Sequence, residues 1–461
     1  MSKQINAQQG IYDARSLGTP KMLILGLQHT FAMFGATVLV PIITGLNVST
    51  ALLAAGLGTL LFHLITGGKV PAFLGSSFAF LGGFSAVKAL ELTDSTGRAL
   101  TDVEKLPYAC GGIVIAGLVY LLMSGLITAF GVKRVMRFFP PVVTGPIIIA
   151  IGLILAPSAV DNIINPVQIS GDVAAGTAAY APLWMNWVVA FAALAAIVIC
   201  NIWGKGMIQI LPILIGVAFS YLVAVILTLV TGVPFVNFQA IASADWVGMA
   251  PLTLAKFDVS AIITMVPISL ATMMEHIGDI AAISATTGKN YLSNPGLNRT
   301  LLGDGLATSL AGIFGGPANT TYGENTGVLA LTKVYDPRVM RIAACFAILL
   351  SFVPKFGDAI NTIPTPIIGG ISFVLYGMIS AIGVRNVVEN QVDFTNSRNL
   401  IIAATILVSA LGFGMRDGIT FNVGSATINL SGLAIAAIVG ILLNAILPGN
   451  DYVFQESEEE K

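Results

Sequence analysis

Charge is scarce in this chain. Only 10% of its 461 residues are Asp, Glu, Lys or Arg, against roughly a quarter in an ordinary soluble domain. The 22 basic and 23 acidic residues nearly cancel, so there is no global basic field to attract nucleic acid. Cysteine is almost absent as well. Cys110, Cys200 and Cys345 each sit in an apolar run and read as small core residues, not as a disulfide framework. The three histidines (His29, His63, His276) show no zinc-ligand spacing with them, so no metal site is expected. No nucleophile–base pair stands out, which argues against an enzyme. Residues 1–20 are polar and lack the apolar stretch of a cleaved leader.

What is present is apolar. Hydrophobic residues make up 56% of the chain, and the mean hydropathy is +0.88. A soluble core of this size could not hide that much apolar surface, so the solvent must be lipid. A spanning helix needs about 20 mostly apolar residues. Such runs are centred near residues 32, 58, 80, 118, 147, 192, 219, 270, 307, 326, 347, 375, 407 and 439, fourteen in all. The third and tenth are short and broken by Gly, Ser, Thr or Pro. An even count puts both termini on one side. With that side cytoplasmic, 16 of the 22 basic residues fall inside and 6 outside, the bias expected of a membrane protein. Dropping one weak span would reverse the side of every later loop and spoil the bias.

The chain also repeats itself. Gln28-His29 in "GLQHTFAMFG" returns as Glu275-His276 in "MMEHIGDIAA", 247 residues later. "PAFLGSSFAF" from Pro71 returns as "PANTTYGENT" from Pro317, 246 residues later. Pro141, Gly145 and Gly152 return as Pro366, Gly370 and Gly377, 225 residues later. Two halves of seven spans follow, and an odd number makes the second half enter the membrane inverted. The broken third and tenth spans then correspond. Paired broken segments are the best sequence pointer to a transporter's binding site. A half-helix starting at such a break offers free N–H groups and the positive end of its dipole. In this register Ser77 aligns with Gly323, and Phe78 with Glu324.

Few ionisable residues interrupt the apolar runs: His29 in span one, Glu275, His276 and Asp279 in span eight, Asp304 in span nine and Glu324 in span ten. A carboxylate at mid-membrane costs about 2.5–3.5 kcal/mol even on the lenient insertion scale, so several together point to function. Glu275 and Asp279 are one turn apart and share a helical face, where like charges repel. Asp304, between two glycines, reads as a backbone-bonding residue. His276 points away from Glu275 toward a neighbouring span. Gln28 and His29 suit either helix packing or site lining, and the acidic end "QESEEEK" reads as solvated.

The stretch "ENTGVLALTK" (Glu324 to Lys333) fits the signature of the nucleobase–ascorbate transporter family. With "LQH", "GSSFAF", "EHIG" and "NPGLNRTLLGDGL", the chain resembles that family's bacterial uracil carriers over essentially all of its spans. The resemblance implies an all-α polytopic protein of fourteen spans in two inverted sevens. Short antiparallel strands would precede the half-helices in spans 3 and 10. It implies core-domain segments at 21–130 and 257–357 and gate-domain segments at 131–232 and 358–449. Cytoplasmic tails at 1–20 and 450–461 would flank them, in a homodimer of the inner membrane with lipid around it. It implies proton-coupled uracil import by alternating access, with the proton as coupling ion and no cofactor. Carried over residue by residue, the base-holding positions are Glu275, Glu324, Phe78 and Gly323, with Tyr322 and Tyr376 nearby and Gln28, His29 and Asn325 in support.

One position departs from the uracil-carrier pattern Glu-His-Ile-Gly-His, because Asp279 stands where the second histidine would be. Asp279, coupled to Glu275, is therefore the expected proton-linked group. Rival readings are a purine or xanthine carrier of the same family, which usually has Gln at position 324, and an anion transporter of similar architecture. Buried carboxylates would repel the substrate of the latter.

Overall fold

The structure is a computed structural model. It describes residues 10–449 apart from 95, 171–176, 417, 424 and 425. The expected tail 450–461 and the first nine residues of the tail 1–20 lie outside the described residues.

Among the described residues, fourteen helices of nine residues or more carry the chain. They are α1 (Thr19–Thr44), α2 (Val48–Ile65), α3 (Leu81–Ala89), α4 (Asp102–Phe130), α5 (Pro141–Ile164), α6 (Leu183–Trp203) and α7 (Pro212–Thr231). Then come α8 (Val259–Thr287, interrupted at Pro267), α9 (Leu297–Ile313), α10 (Gly323–Thr332), α11 (Pro337–Ser351), α12 (Thr365–Glu389), α13 (Ser397–Gly414) and α14 (Gly432–Ile446). Among the described residues nine are long and apolar enough to cross a membrane. A tenth is counted if α11 and Pro354–Asn361, bent by 83°, form one span. On length alone α3, α9, α10 and α14 fall short, so the fold is a mostly helical, polytopic one of nine or ten apolar helices.

Helix packings recur in related pairs. α4 lies on α9 as α11 lies on α2, and α6 on α7 as α13 on α14. α12 lies on α6 as α5 lies on α13, and α1 on α11 as α8 on α4. The outward faces are apolar: Leu229, Val230 and Val408 are 73%, 78% and 72% exposed, which suits lipid and not water. Cys345 corrects the sequence reading. It is exposed, whereas Cys110 and Cys200 are buried, because an apolar helix in lipid need not turn its small residues inward.

The breaks in the third and tenth segments are where the fold becomes specific. Leu74–Ser76 (β1) pairs antiparallel with Asn319–Thr321 (β2), with Leu74 opposite Thr321 and Ser76 opposite Asn319. The expected short strands are thus both present. Pro71, Gly75, Pro317 and the β-branched Thr320 and Thr321 disfavour a continuous helix here. Backbone in a water-poor interior must still be paired. Hydroxyls from the flanking helices complete it. Thr59 Oγ1 of α2 donates to the Leu74 carbonyl and accepts from the Leu74 N–H (3.1 and 2.9 Å). Thr308 Oγ1 of α9 donates to the Asn319 carbonyl at 2.8 Å. Gly75 is required at its position, since a Cβ there would lie 2.5 Å from the Tyr322 ring and 2.7 Å from Thr37 Oγ1. A hairpin of Ile419–Val423 (β3) and Ala426–Leu430 (β4) joins α13 to α14.

Candidate substrate site

Two helical starts face the strand pair. A short 3-10 turn, Phe78–Phe80, leads into α3, and α10 begins at Gly323 after Tyr322; neither start has a side-chain cap. Ser77 N–H and Tyr322 N–H are taken by the Ala318 and Phe73 carbonyls (2.8 and 3.1 Å). The following N–H groups, including those of Phe78 and Gly323, have no partner within their own helix by construction. Each start thus presents the positive end of a short dipole, one beyond either end of the strand pair.

The acidic residues gather there. Asp279 of α8 lies beside the start of α10, with its Oδ1 only 3.5 Å from where a Cβ on Gly323 would stand. Thr321 Oγ1 donates to Asp279 Oδ2 at 2.8 Å. Glu275 lies within electrostatic reach of Asp279, Glu324 and Asp304, and Asp279 within reach of Glu324 and Asp304. Glu275 Oε2 is buried with no hydrogen-bond partner, the state expected of a group awaiting a donor.

The remaining expected residues are placed as follows. Phe78 is buried, and its ring meets Tyr376 of α12 edge-on at 5.9 Å between centroids. The Tyr322 hydroxyl is committed to the protein: it donates to the Ser76 carbonyl (3.0 Å) and accepts from Thr37 (3.1 Å). Asn325 Nδ2 reaches His29 Nδ1 at 3.1 Å and the His29 carbonyl at 3.2 Å, which ties α10 to α1. Gln28 is buried on α1. A cavity of about 510 Å³ opens beside Phe78, between α3, α5 and the facing ends of α13 and α14, with Ser85, Ser158 and Asp161 on its walls. Glu275 and Glu324 are not on its walls.

Two features escaped the sequence reading. Asp304 does not serve chiefly as a backbone-bonding residue: its Oδ2 lies 3.1 Å from His276 Nδ1, and both side chains are fully buried. Thr321 joins this pair to Asp279, standing 3.5 Å from His276 Nδ1. The isolation of Asp304 between glycines was the only available signal, and nothing in the sequence nominated Thr321.

A multi-pass membrane protein that buries carboxylates beside the uncapped start of a broken segment has the site arrangement found in secondary transporters. The transmembrane domain of a cyanobacterial bicarbonate transporter, BicA, has the same fold: TM-score 0.63 at 14% identity, covering 89% of this chain and 98% of that one. The chain belongs to the nucleobase–ascorbate transporter family, whose model, described as a permease family, matches residues 20–416. It is 39% identical over 460 residues to the uracil permease of Bacillus caldolyticus, covering 98% of both chains. It is 40% identical over 441 residues to the uracil permease of Bacillus subtilis, covering 94% of both.

Proposed function

We propose that this protein is a proton-coupled symporter that imports uracil across the cytoplasmic membrane by alternating access. One observation carries the reading: Asp279 lies against the uncapped start of α10, which itself carries Glu324, and Glu275 is within electrostatic reach of both. Uracil is neutral, with two N–H donors and two carbonyl acceptors. Carboxylates of Glu275 and Glu324 accept from the N–H groups, and the backbone N–H groups of Phe78 and Gly323 donate to the carbonyls. The permease names of the relatives agree with this chemistry.

In this reading the chain holds fourteen spans in two inverted sevens, with both termini cytoplasmic. The recurrence of helix packings in related pairs supports it. Segments 21–130 and 257–357 form a core that carries the site, and 131–232 with 358–449 form a gate. The heaviest packings in support run within these groups, α4 on α9 and α2 on α11 in one, α5 on α12 in the other. Movement of core against gate exposes the site to either side. A proton taken up by the Glu275–Asp279 couple relieves the repulsion between crowded carboxylates and travels with the base. One proton per base harnesses about 2.3 kcal/mol per 100 mV, enough for roughly fifty-fold accumulation.

Uptake of labelled uracil, xanthine and sulfate into proteoliposomes, with and without a pH gradient, tests the reading. Saturable uracil uptake that rises with an inward proton gradient is expected. Preference for xanthine or sulfate would overturn the substrate, and indifference to the gradient would overturn the coupling.

A further inference from the structure

Behind the substrate site runs a buried polar chain that base recognition does not use. It starts at Asp304 on α9 and passes through His276 Nδ1 (3.1 Å) and Thr321 Oγ1 (3.5 Å) to Asp279 Oδ2 (2.8 Å). Asp304 and His276 are wholly inaccessible, and Thr321 nearly so. Among the described residues His276 Nε2 has no partner, and the ring lies nearly perpendicular to that of Phe62, 6.3 Å between centroids. The ring therefore has its polar contacts through Nδ1 alone, toward Asp304 and Thr321.

Donor counting orders the chain. A carboxylate only accepts, so Thr321 spends its single proton on Asp279. The Thr321 oxygen is then free to accept, and among the described residues His276 Nδ1, which also faces Asp304, is the side-chain nitrogen within reach, in the tautomer that carries its proton there. The pair thus keeps the Thr321 hydroxyl turned toward Asp279. Asp279 in turn is held against the first residue of α10.

We propose that His276, anchored by Asp304, is a positioning residue that acts through Thr321 to orient the Asp279 carboxyl for proton-driven transport. This rests on the reading of Asp279 as proton-linked. Base contacts at Glu275 and Glu324 do not pass through the chain, so cutting it leaves them in place. The titratable groups that face Asp279 are Glu275 on its own helix, Glu324 on α10 and Asp304 on α9; Tyr120 of α4, bonded to Thr272 on α8, and Tyr322 stand close by. These stay in place in every variant below.

The test compares Thr321→Val and His276→Leu, which cut the chain, with Thr321→Ser and His276→Asn, which keep the hydroxyl and a donor at the Nδ1 position. Proteoliposomes are assayed for uracil binding, for uracil exchange at equal pH, and for accumulation across a pH gradient over a range of pH. Cutting the chain is expected to lower accumulation about tenfold and to shift its pH profile, with uracil affinity within about threefold of the parent. The conservative variants should regain most of the accumulation. Unchanged accumulation and pH profile in Thr321→Val would overturn the proposal. So would a loss of affinity parallel to the loss of transport, which would make Thr321 part of the binding site. If Thr321→Val is too unstable to purify, Thr321→Cys carries the test, because its weak S–H donor predicts partial loss and full accumulation refutes it. A parent protein indifferent to the pH gradient would overturn the coupling reading and this proposal with it, whereas a proton-driven parent beside an unaltered Thr321→Val overturns the proposal alone.

Discussion

Asn325 holds His29 at two points, its amide nitrogen reaching both the ring Nδ1 and the backbone carbonyl of the same residue. A carbonyl only accepts, so the nitrogen end of the amide must face α1, and His29 Nδ1 must then be the unprotonated nitrogen. The neighbour of the key carboxylate Glu324 thereby fixes how α10 lies against α1.

Asn325→Ala should remove that tie and leave the buried His29 Nδ1 acceptor unpaired. A cost of about 1–3 kcal/mol is expected, read as a lower melting temperature in detergent together with weaker uracil binding. An unchanged melting temperature would show that α10 is held elsewhere.

Glu324→Gln replaces an acceptor with a group that is half donor, opposite a base N–H. Losing one charge-assisted hydrogen bond in a dry site costs about 1.5–3 kcal/mol, at least a tenfold weakening. Calorimetric titration with uracil measures it, and parent-like affinity would remove Glu324 from the site. Xanthine binding gained by the same variant would point to position 324 as a selector within the family.

Asp279→Asn keeps the shape while removing the exchangeable proton. The Thr321 hydroxyl can still donate, to the amide oxygen. Uracil should bind and exchange, but uphill uptake driven by a pH gradient should disappear. Asp279→His should restore part of it. Full accumulation by Asp279→Asn would pass the proton-linked role to Glu275 or Glu324.

Gly75→Ala should displace the Tyr322 ring, because the added methyl overlaps it across the strand pair. Overpacking of this kind costs about 1–3 kcal/mol. The ring carries the bond to the Ser76 carbonyl, so the strand pair and both helical starts should loosen together. Melting and uptake measured side by side should fall together, whereas a variant with normal melting and normal uptake would show that Tyr322 has room to move.

Much of the proposed site is legible in the chain itself. Glu275, Asp279 and Glu324 stand out because ionisable groups are rare in apolar runs and expensive in lipid. Gly75, Pro71 and Pro317 announced broken segments because local backbone preference is a short-range property. The side chain of Cys345 was misread for the complementary reason. In a soluble protein an apolar run has one buried face, whereas in lipid the outward face is apolar too, so sequence pattern does not say which way a residue points.

What the sequence by itself determined is the membrane solvent, the approximate helices, the two breaks and the short list of carboxylates, all of which follow from composition and neighbours along the chain. Tertiary structure alone decided the partners. Leu74 meets Thr321, Asn325 meets His29, and Asp304 meets His276 only because residues distant in the chain are brought within about 3–5 Å. Hydrogen bonds and strand pairings are that short-ranged, so a residue as ordinary as Thr321 carries no mark of its role until the fold sets it between His276 and Asp279.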